Sequence, residues 1–389
     1  LVNFLELAQT LALRRREPVY VLAERDELPL EMLALGLGMK GLPNAVFELV
    51  SDHLGDDDEW AWVKDFQAQT GLGVTLIATT APAYQNNKMY NLAEQARLEG
   101  HEIRPQAAGR PTGVLHGLQS SFHAFVGHPT WRAELAGLEH DALVTKLQAP
   151  DMKARLLSET SVIQSGPMQD LDNLMAMVFP LGDEPNYEPS YDESIAGIAK
   201  ARGESSLSVM YDLLVANGGQ ELFYQPLGGY QNYSLDAQKK LLEHPNVLFG
   251  LSDGGAHCGV IADAGMPTFI MTHWGRDRTR GDQLSLEFIV RSLTSSTAEA
   301  FGMFDRGRIQ VGMIADLNII DFEQLRLFRP EAVFDLPAGG RRLVQRAKGY
   351  DWTIKAGEVI FEQGEHTGAL PGKLVRRTDD SKASARALN

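Results

Sequence analysis

An α/β fold built on parallel strands, in a sheet or barrel, with a small β module after it, is the architecture this sequence predicts. Three observations predict it. Strand-like and helix-like stretches alternate from Ala45 to Gln106, the rhythm of β-α-β units whose strands run parallel. Val247, Leu248, Phe249 and Leu251 make a short apolar run broken only by Gly250, as suits a parallel strand covered on both faces. From Gly307 onward the pattern shortens to brief strands separated by turns, which reads as a separate β module.

The elements follow in order. Leu1 to Arg16 has helical spacing and a basic last turn, Arg14-Arg15-Arg16, which the negative end of a helix dipole favours. Leu28 to Leu37 is a second helix. It runs into Gly36-Leu37-Gly38-Met39-Lys40-Gly41, a match to G-x-G-x-x-G. A dinucleotide fingerprint must follow a strand and open a helix; this one follows a helix, so a helix stop is the reading. Ala45 to Val50 is a strand, and the acidic run Asp56 to Glu59 starts a helix over Trp60 to Gln69. Val74 to Ile77 is a strand, Tyr90 to Glu99 a helix closed by Gly100, and Ile103 to Gln106 a strand.

Thr112 to Tyr191 is less regular. It holds His116, His123 and His128 without an H-x-H or H-E-x-x-H pattern, so these are expected to be surface or lightly buried. Leu143 to Leu157 reads as one helix in an inserted segment, and Pro180 to Pro189 as a turn-rich connector. Ser190 to Glu193 is a capping box, opening a helix that ends near Arg202-Gly203. Leu207 to Ala216 and Leu235 to Leu242 are helices, with a strand over Glu221 to Gln225 between them. Leu284 to Phe301 is a long amphipathic helix, and short strands lie at Asp316 to Asp321, Trp352 to Ile354 and Val359 to Phe361. The expected domains are 1–306, the α/β part, and 307–375, the β module, with 376–389 a polar, aperiodic and disordered tail.

Composition narrows the function. The chain has 389 residues, 44% hydrophobic and 22% charged, ordinary for a globular protein of more than one domain. A net charge of -15 argues against nucleic acid and anionic membranes as partners. The single cysteine, Cys258, excludes an internal disulfide framework and fits a reducing compartment, so a cytoplasmic location is expected. No apolar run spans a bilayer, and the start of the chain, with Glu6 and no basic leader, does not read as a signal peptide. The first residue is Leu, so a processed chain or a fragment is expected.

The chemistry centres on Ser252-Asp253-Gly254-Gly255-Ala256-His257. A carboxylate at the mouth of a buried strand, followed by two glycines that free the backbone, is where α/β folds keep catalytic groups. The plain alternative is an Asp in a turn. Downstream, Thr272-His273-Trp274-Gly275-Arg276 reads as a loop after a strand-like stretch. Arg276 there suits bidentate binding of a carboxylate, and pairing with Asp277 or Asp282 is the alternative. Arg110, after the strand at Ile103, is a second candidate for that role, and His257 either faces the site or caps its loop.

The chain resembles the amidohydrolase superfamily, in particular the N-acyl-D-amino-acid deacylase (D-aminoacylase) type. The resemblance rests on S-D-G-G-A-H at Ser252 to His257, T-H-W-G-R-D-R-T-R-G at Thr272 to Gly281 and A-D-L-N-I-I-D at Ala315 to Asp321. D-L-P-A-G-G-R-R at Asp335 to Arg342, T-G-A-L-P-G at Thr367 to Gly372, S-I-A-G-I-A-K-A-R-G at Ser194 to Gly203 and Y-D-L-L at Tyr211 to Leu214 also fit. It implies a (β/α)8 TIM-type barrel, incomplete at its N-terminal side in this chain, with a small β-sandwich. It also implies zinc at the C-terminal face, where a metal lowers the pKa of bound water and polarises the amide carbonyl. Asp253 matches the aspartate that ligates metal and carries the proton from water to the leaving nitrogen. Arg276, His273, His257 and Arg110 are the substrate-binding expectation, with a small-molecule amide as substrate and self-association into a homo-oligomer as a further expectation.

The chain departs from the resemblance in its ligands. It contains no H-x-H, and Thr79-Thr80 and Gln106-Ala107 stand where histidines are expected, neither pair being usual for zinc. His53 is the other ligand considered. A cyclic amidohydrolase of dihydropyrimidinase or imidazolonepropionase type is the alternative enzyme, and a truncated or binding-only scaffold is the alternative outside catalysis.

Overall fold

The computed structural model describes residues 29–42, 45–50, 56–80, 88–163, 171–250 and 257–375. The expected N-terminal helix, His53, Asp253 and the C-terminal tail lie outside them.

The first body is a β-α layer. Helix α1, Pro29–Met39, leads to strand β1, Val46–Leu49; helix α2, Asp57–Thr70, to β2, Gly73–Ala78; and helix α3, Lys88–Leu98, to β3, Ile103–Ala108. Helix α2 begins with Asp57, Asp58 and Glu59 at the positive end of its dipole. It ends at Gly71, whose left-handed φ of 70° lets its N–H bond the Gln67 carbonyl. Its buried residues Trp60, Val63, Phe66 and Thr70 recur at helical spacing, and Phe66 packs 4.5 Å from the Phe47 ring of β1. Helix α1 runs straight through Gly36, whose missing side chain is replaced by the Phe66 ring. Gly41 follows with φ 87°. The G-x-G-x-x-G match is therefore a packing and helix-end feature.

β1, β2 and β3 pair in parallel, and β7, Leu248–Gly250, adds to β3 as an edge of the order β1-β2-β3-β7. Phe47, Leu49, Val74, Leu76, Ala78, Ile103 and Ala107 are buried. The alternate residues carry polar groups: the Gln106 amide donates to Thr75 Oγ1 at 2.9 Å and to Glu48 Oε1 at 3.3 Å. Among the described residues this is an open four-stranded sheet. The coarser expectation of an α/β fold with parallel strands is met.

Between β3 and β7 lies an insert with its own sheet and core. Strands β4, Thr112–His116, and β5, Phe179–Pro180, flank β6, Phe223–Gly228, in antiparallel pairs. A second apolar cluster forms around Phe125, Leu156, Met175, Val209 and Phe223. The helix expected over Leu143 to Leu157 is two, His140–Leu147 and Met152–Ser158. Pro150 in the break lacks the N–H that a continuous helix needs. The Ser190 capping box is present but closes a short 3-10 turn; Ser194 caps the following helix, Ile195–Arg202. Likewise Leu284 to Phe301 is two helices, Leu286–Leu293 and Ser295–Ala300, broken at Thr294 with φ -123° and ψ -92°.

The C-terminal module follows. β8, Leu317–Ile320, pairs with β13, Tyr350–Lys355, which pairs with β14, Glu358–Glu362, and β15, Glu365–His366. No residue of these four strands is buried. The short β9, Arg326–Leu327, pairs with β12, Ala347–Lys348, and β10, Glu331–Leu336, with β11, Gly340–Val344. Asp316 of the A-D-L motif accepts from Lys355 at 2.8 Å, from the Ala356 N–H at 2.9 Å and from Arg306 at 2.9 Å. It ties the start of the module to its hairpin.

Candidate active site at the strand ends

The described strand ends offer few metal donors. β2 runs into Thr79 and Thr80, and β3 ends at Ala107-Ala108. Gln238 bridges the two ends, accepting from Thr80 Oγ1 at 3.1 Å and donating to the Ala108 carbonyl at 2.5 Å. Gln106 is engaged by Thr75 and Glu48 on the sheet. Among the described residues no group of three His, Cys, Asp or Glu side chains could hold a metal. These residues do not fit the zinc that the resemblance implies.

The T-H-W-G-R segment is helical, where a loop after a strand-like stretch was expected. Met266–Phe269 is a short helix with Pro267 in its first turn, continuing as a π-helix over Ile270–Asp277. Met266, Phe269, Ile270 and Trp274 are all buried. The short apolar run Phe269-Ile270-Met271 cannot be assigned to helix or strand from sequence periodicity alone. The Trp274 indole donates to the Gly109 carbonyl at 2.5 Å, and Ile270 fills the space that a side chain on Gly109 would take. The π-helix is thus fixed just beyond the end of β3.

That anchor positions His273, Arg276 and Arg278 differently. His273 stacks on Phe269 at 4.6 Å and pairs through Nε2 with Glu188 Oε2 at 3.1 Å. Arg278 forks the same carboxylate, at 3.0 Å from Nε and 2.9 Å from Nη2. The Leu235 N–H adds a further bond to Glu188 at 2.9 Å. Burial alone would raise the Glu188 carboxyl; the bonds from His273 and Arg278 outweigh it and bring it down to about 2. Arg278 also reaches Asp236 at 2.7 Å and the Asp282 carbonyl at 2.8 Å. Glu188 and Arg278 were missed in the sequence. The available signal was an arginine-rich motif that needs buried acids, and a lone Glu between Pro185 and Pro189.

Arg276 uses all five N–H donors inside the protein. Nε and Nη2 hold Asp277 at 2.6 and 2.9 Å, Nη1 reaches the Phe322 carbonyl and the Glu323 carbonyl at 3.3 Å, and Nη2 reaches Leu325 at 2.8 Å. It clamps the π-helix to the turn after β8. Arg110 is 1% exposed, pairs with Asp263, reaches Gln345 at 3.3 Å and lies 4.0 Å over the Tyr187 ring. His257 is exposed with φ 49°, and its carbonyl accepts from Val260 and Ile261 at 2.8 and 3.0 Å. It therefore caps a turn. That turn docks on the insert and the module: Val260 O accepts from Leu115 at 2.7 Å, Gly259 O from Ser121 at 2.9 Å and Cys258 O from Leu343 at 2.7 Å.

His116, His123 and His128 are fully buried, deeper than the surface or lightly buried positions expected. His116 Nε2 meets Gln225 at 2.7 Å, while Nδ1 of His116 and of His128 has no hydrogen-bond partner among the described residues. Burial pushes His116 down to about 4; burial, with His116 and His128 nearby, pushes His123 to about 3. Neutral imidazoles behave here as aromatic packing, with His123 4.1 Å from the Trp131 ring.

Comparison with known proteins agrees with this architecture. D-aminoacylase of Alcaligenes xylosoxydans xylosoxydans is 27% identical over 183 residues, 46% of this chain and 33% of that protein. A crystal structure of D-aminoacylase, described as defining a novel subset of amidohydrolases, superposes with a TM-score of 0.52 at 14% identity, covering 95% of this chain and 65% of that one. At that identity the superposition shows the fold alone. The chain spans about a third of the curated relative and less than two thirds of the solved one. The profile of the amidohydrolase family matches residues 34–361, and the chain belongs to that family.

Proposed function

We propose that the protein hydrolyses a C–N amide bond in an N-acyl amino acid, in the manner of a D-aminoacylase. The observation that carries this is the family match across residues 34–361, which includes Asp253, three residues beyond β7 in the sequence. In the reaction water adds to the acyl carbon, the C–N bond breaks, and the products are a carboxylate and a free amine. Asp253 takes the proton of the attacking water and gives it to the leaving nitrogen, the task of a general base that turns general acid. In the whole protein the parallel strands belong to a (β/α)8 barrel whose C-terminal face holds the chemistry. The strand-end residues described above do not make a zinc site, so no step is routed through a metal.

A binding-only scaffold is the second reading, favoured by Thr80 and Ala108 at those strand ends, bridged by Gln238. The experiment is turnover by the purified chain on a panel of N-acyl-D-amino acids, their L enantiomers and cyclic ureides. Release of free amine from the N-acyl amino acids is expected. Turnover of the ureides alone contradicts the substrate class, and turnover of none supports the scaffold reading.

A further inference from the structure

The arginines expected to meet a substrate carboxylate are occupied: Arg276 by Asp277 and three carbonyls, Arg110 by Asp263. Arg278 is held by Glu188 and Asp236. Arg341, on β11, differs. It is half-buried, and among the described residues its one hydrogen bond runs from Nη2 to Ser121 Oγ at 3.2 Å. Among the described residues no carboxylate pairs with it, although the chain carries 51 acidic residues against 36 basic ones. Its neighbour Arg342 shows the usual outcome, a fork onto Asp335 at 2.8 and 2.6 Å. Burial pushes the Arg341 guanidinium down, as expected of a cation partly taken from water without a counter-charge.

Its surroundings are built. Ser121 belongs to the loop after β4, and its N–H bonds the Gly259 carbonyl at 2.9 Å. A side chain on Gly259 would collide with the Ser121 hydroxyl, so glycine there is what lets the loops approach. Ser120 Oγ donates to the Leu115 carbonyl at 2.6 Å, and the Leu343 N–H to Cys258 O at 2.7 Å. Three segments thus meet at Arg341: the insert, the C-terminal module, and the turn that begins four residues after Asp253. The Ser121 hydroxyl accepts from Arg341 and keeps its own proton to donate. A guanidinium whose other donors are unused among the described residues, beside a hydroxyl, suits a planar carboxylate.

We propose that Arg341 and Ser121 form the subsite that binds the substrate's carboxylate. The substrate class rests on the amide-hydrolase reading; the subsite does not depend on turnover. The test is equilibrium binding of N-acetyl-D-alanine and of its neutral carboxamide to the wild-type chain and to Arg341→Met, Arg341→Lys and Ser121→Ala, each with a thermal melt. Arg341→Met should weaken the carboxylate by roughly tenfold or more, the effect of losing hydrogen bonds from a charged group, and leave the carboxamide unchanged. Arg341→Lys should restore part of the loss, and Ser121→Ala should weaken the carboxylate less than Arg341→Met. Equal Kd for the carboxylate in wild type and Arg341→Met overturns the proposal, as does a wild type that binds neither compound. Should Arg341→Met fail to fold, equal carboxylate Kd in Arg341→Lys and wild type overturns it. A wild type that binds the carboxylate through Arg341 without hydrolysing it contradicts the proposed activity and supports the subsite.

Discussion

Two regions hold clusters of buried or half-buried polar groups, and they are finished differently. Around the π-helix the central charges are answered: Glu188 accepts from His273, Arg278 and Leu235, and Arg276 has no donor left. Around the loop after β4, groups are left over among the described residues: His116 Nδ1 has no partner, and Arg341 has a serine but no acid. A saturated buried network fixes geometry, because losing one member strands another. An unsaturated one is either neutral packing, as for His116, or a place for a ligand, as for Arg341. The contrast shows Arg276 and Arg278 engaged by the protein itself, while Arg341 in the second region has donors to spare among the described residues.

The largest expected effect breaks the saturated region. Arg278→Ala leaves Glu188 buried and 2% exposed without its fork. It should cost about 3–5 kcal/mol of stability, the usual result of breaking a buried pair. The double variant Glu188→Leu with Arg278→Met should lose less, since no charge is stranded. Urea unfolding of the three proteins measures this. A loss below ~1 kcal/mol in Arg278→Ala would place the pair with ordinary surface salt bridges.

A smaller effect separates the regions by pH. His116 and His123 are held by burial at about 4 and about 3, below the ordinary 6.5. The unfolded chain therefore binds protons first, and stability falls as pH drops below 6.5, by on the order of 2 kcal/mol for each histidine at pH 5. Glu188 has the depressed carboxylate pattern, with about 2 against an ordinary 4.5. Its contribution is present above 4.5 and is lost only as pH falls toward 2. Between pH 6.5 and 5 the insert should thus weaken while the Glu188 cluster holds. Urea midpoints at pH 7 and 5 should differ, and His123→Phe should reduce the difference. Midpoints that do not move with pH contradict the burial of neutral histidines.

Sequence reading found the parallel strands because burial on one face leaves period and length behind: Val46–Leu49, Gly73–Ala78 and Ile103–Ala108 lie where they were expected. It missed β4 and β5, which are short and pair across the long loop of the insert. It also took the π-helix for a strand and loop, because the apolar run Phe269-Ile270-Met271 is too short for periodicity to separate helix from strand. Arg276 was visible as a motif residue, but its carbonyl partners at Phe322, Glu323 and Leu325 lie 46 to 49 residues away. No local pattern encodes such a clamp. Arg341 stood in a motif quoted for resemblance, and only the absence of a nearby acid sets it apart from Arg342.

The proposed amide hydrolysis through Asp253 is tested most directly by kcat on N-acetyl-D-alanine for wild type and Asp253→Asn, beside a thermal melt of each. An amide in place of the carboxylate can neither take nor give the proton, so kcat should fall by roughly 100-fold or more while the melting temperature stays near that of the wild type. A fully folded Asp253→Asn that retains the wild-type kcat would contradict it.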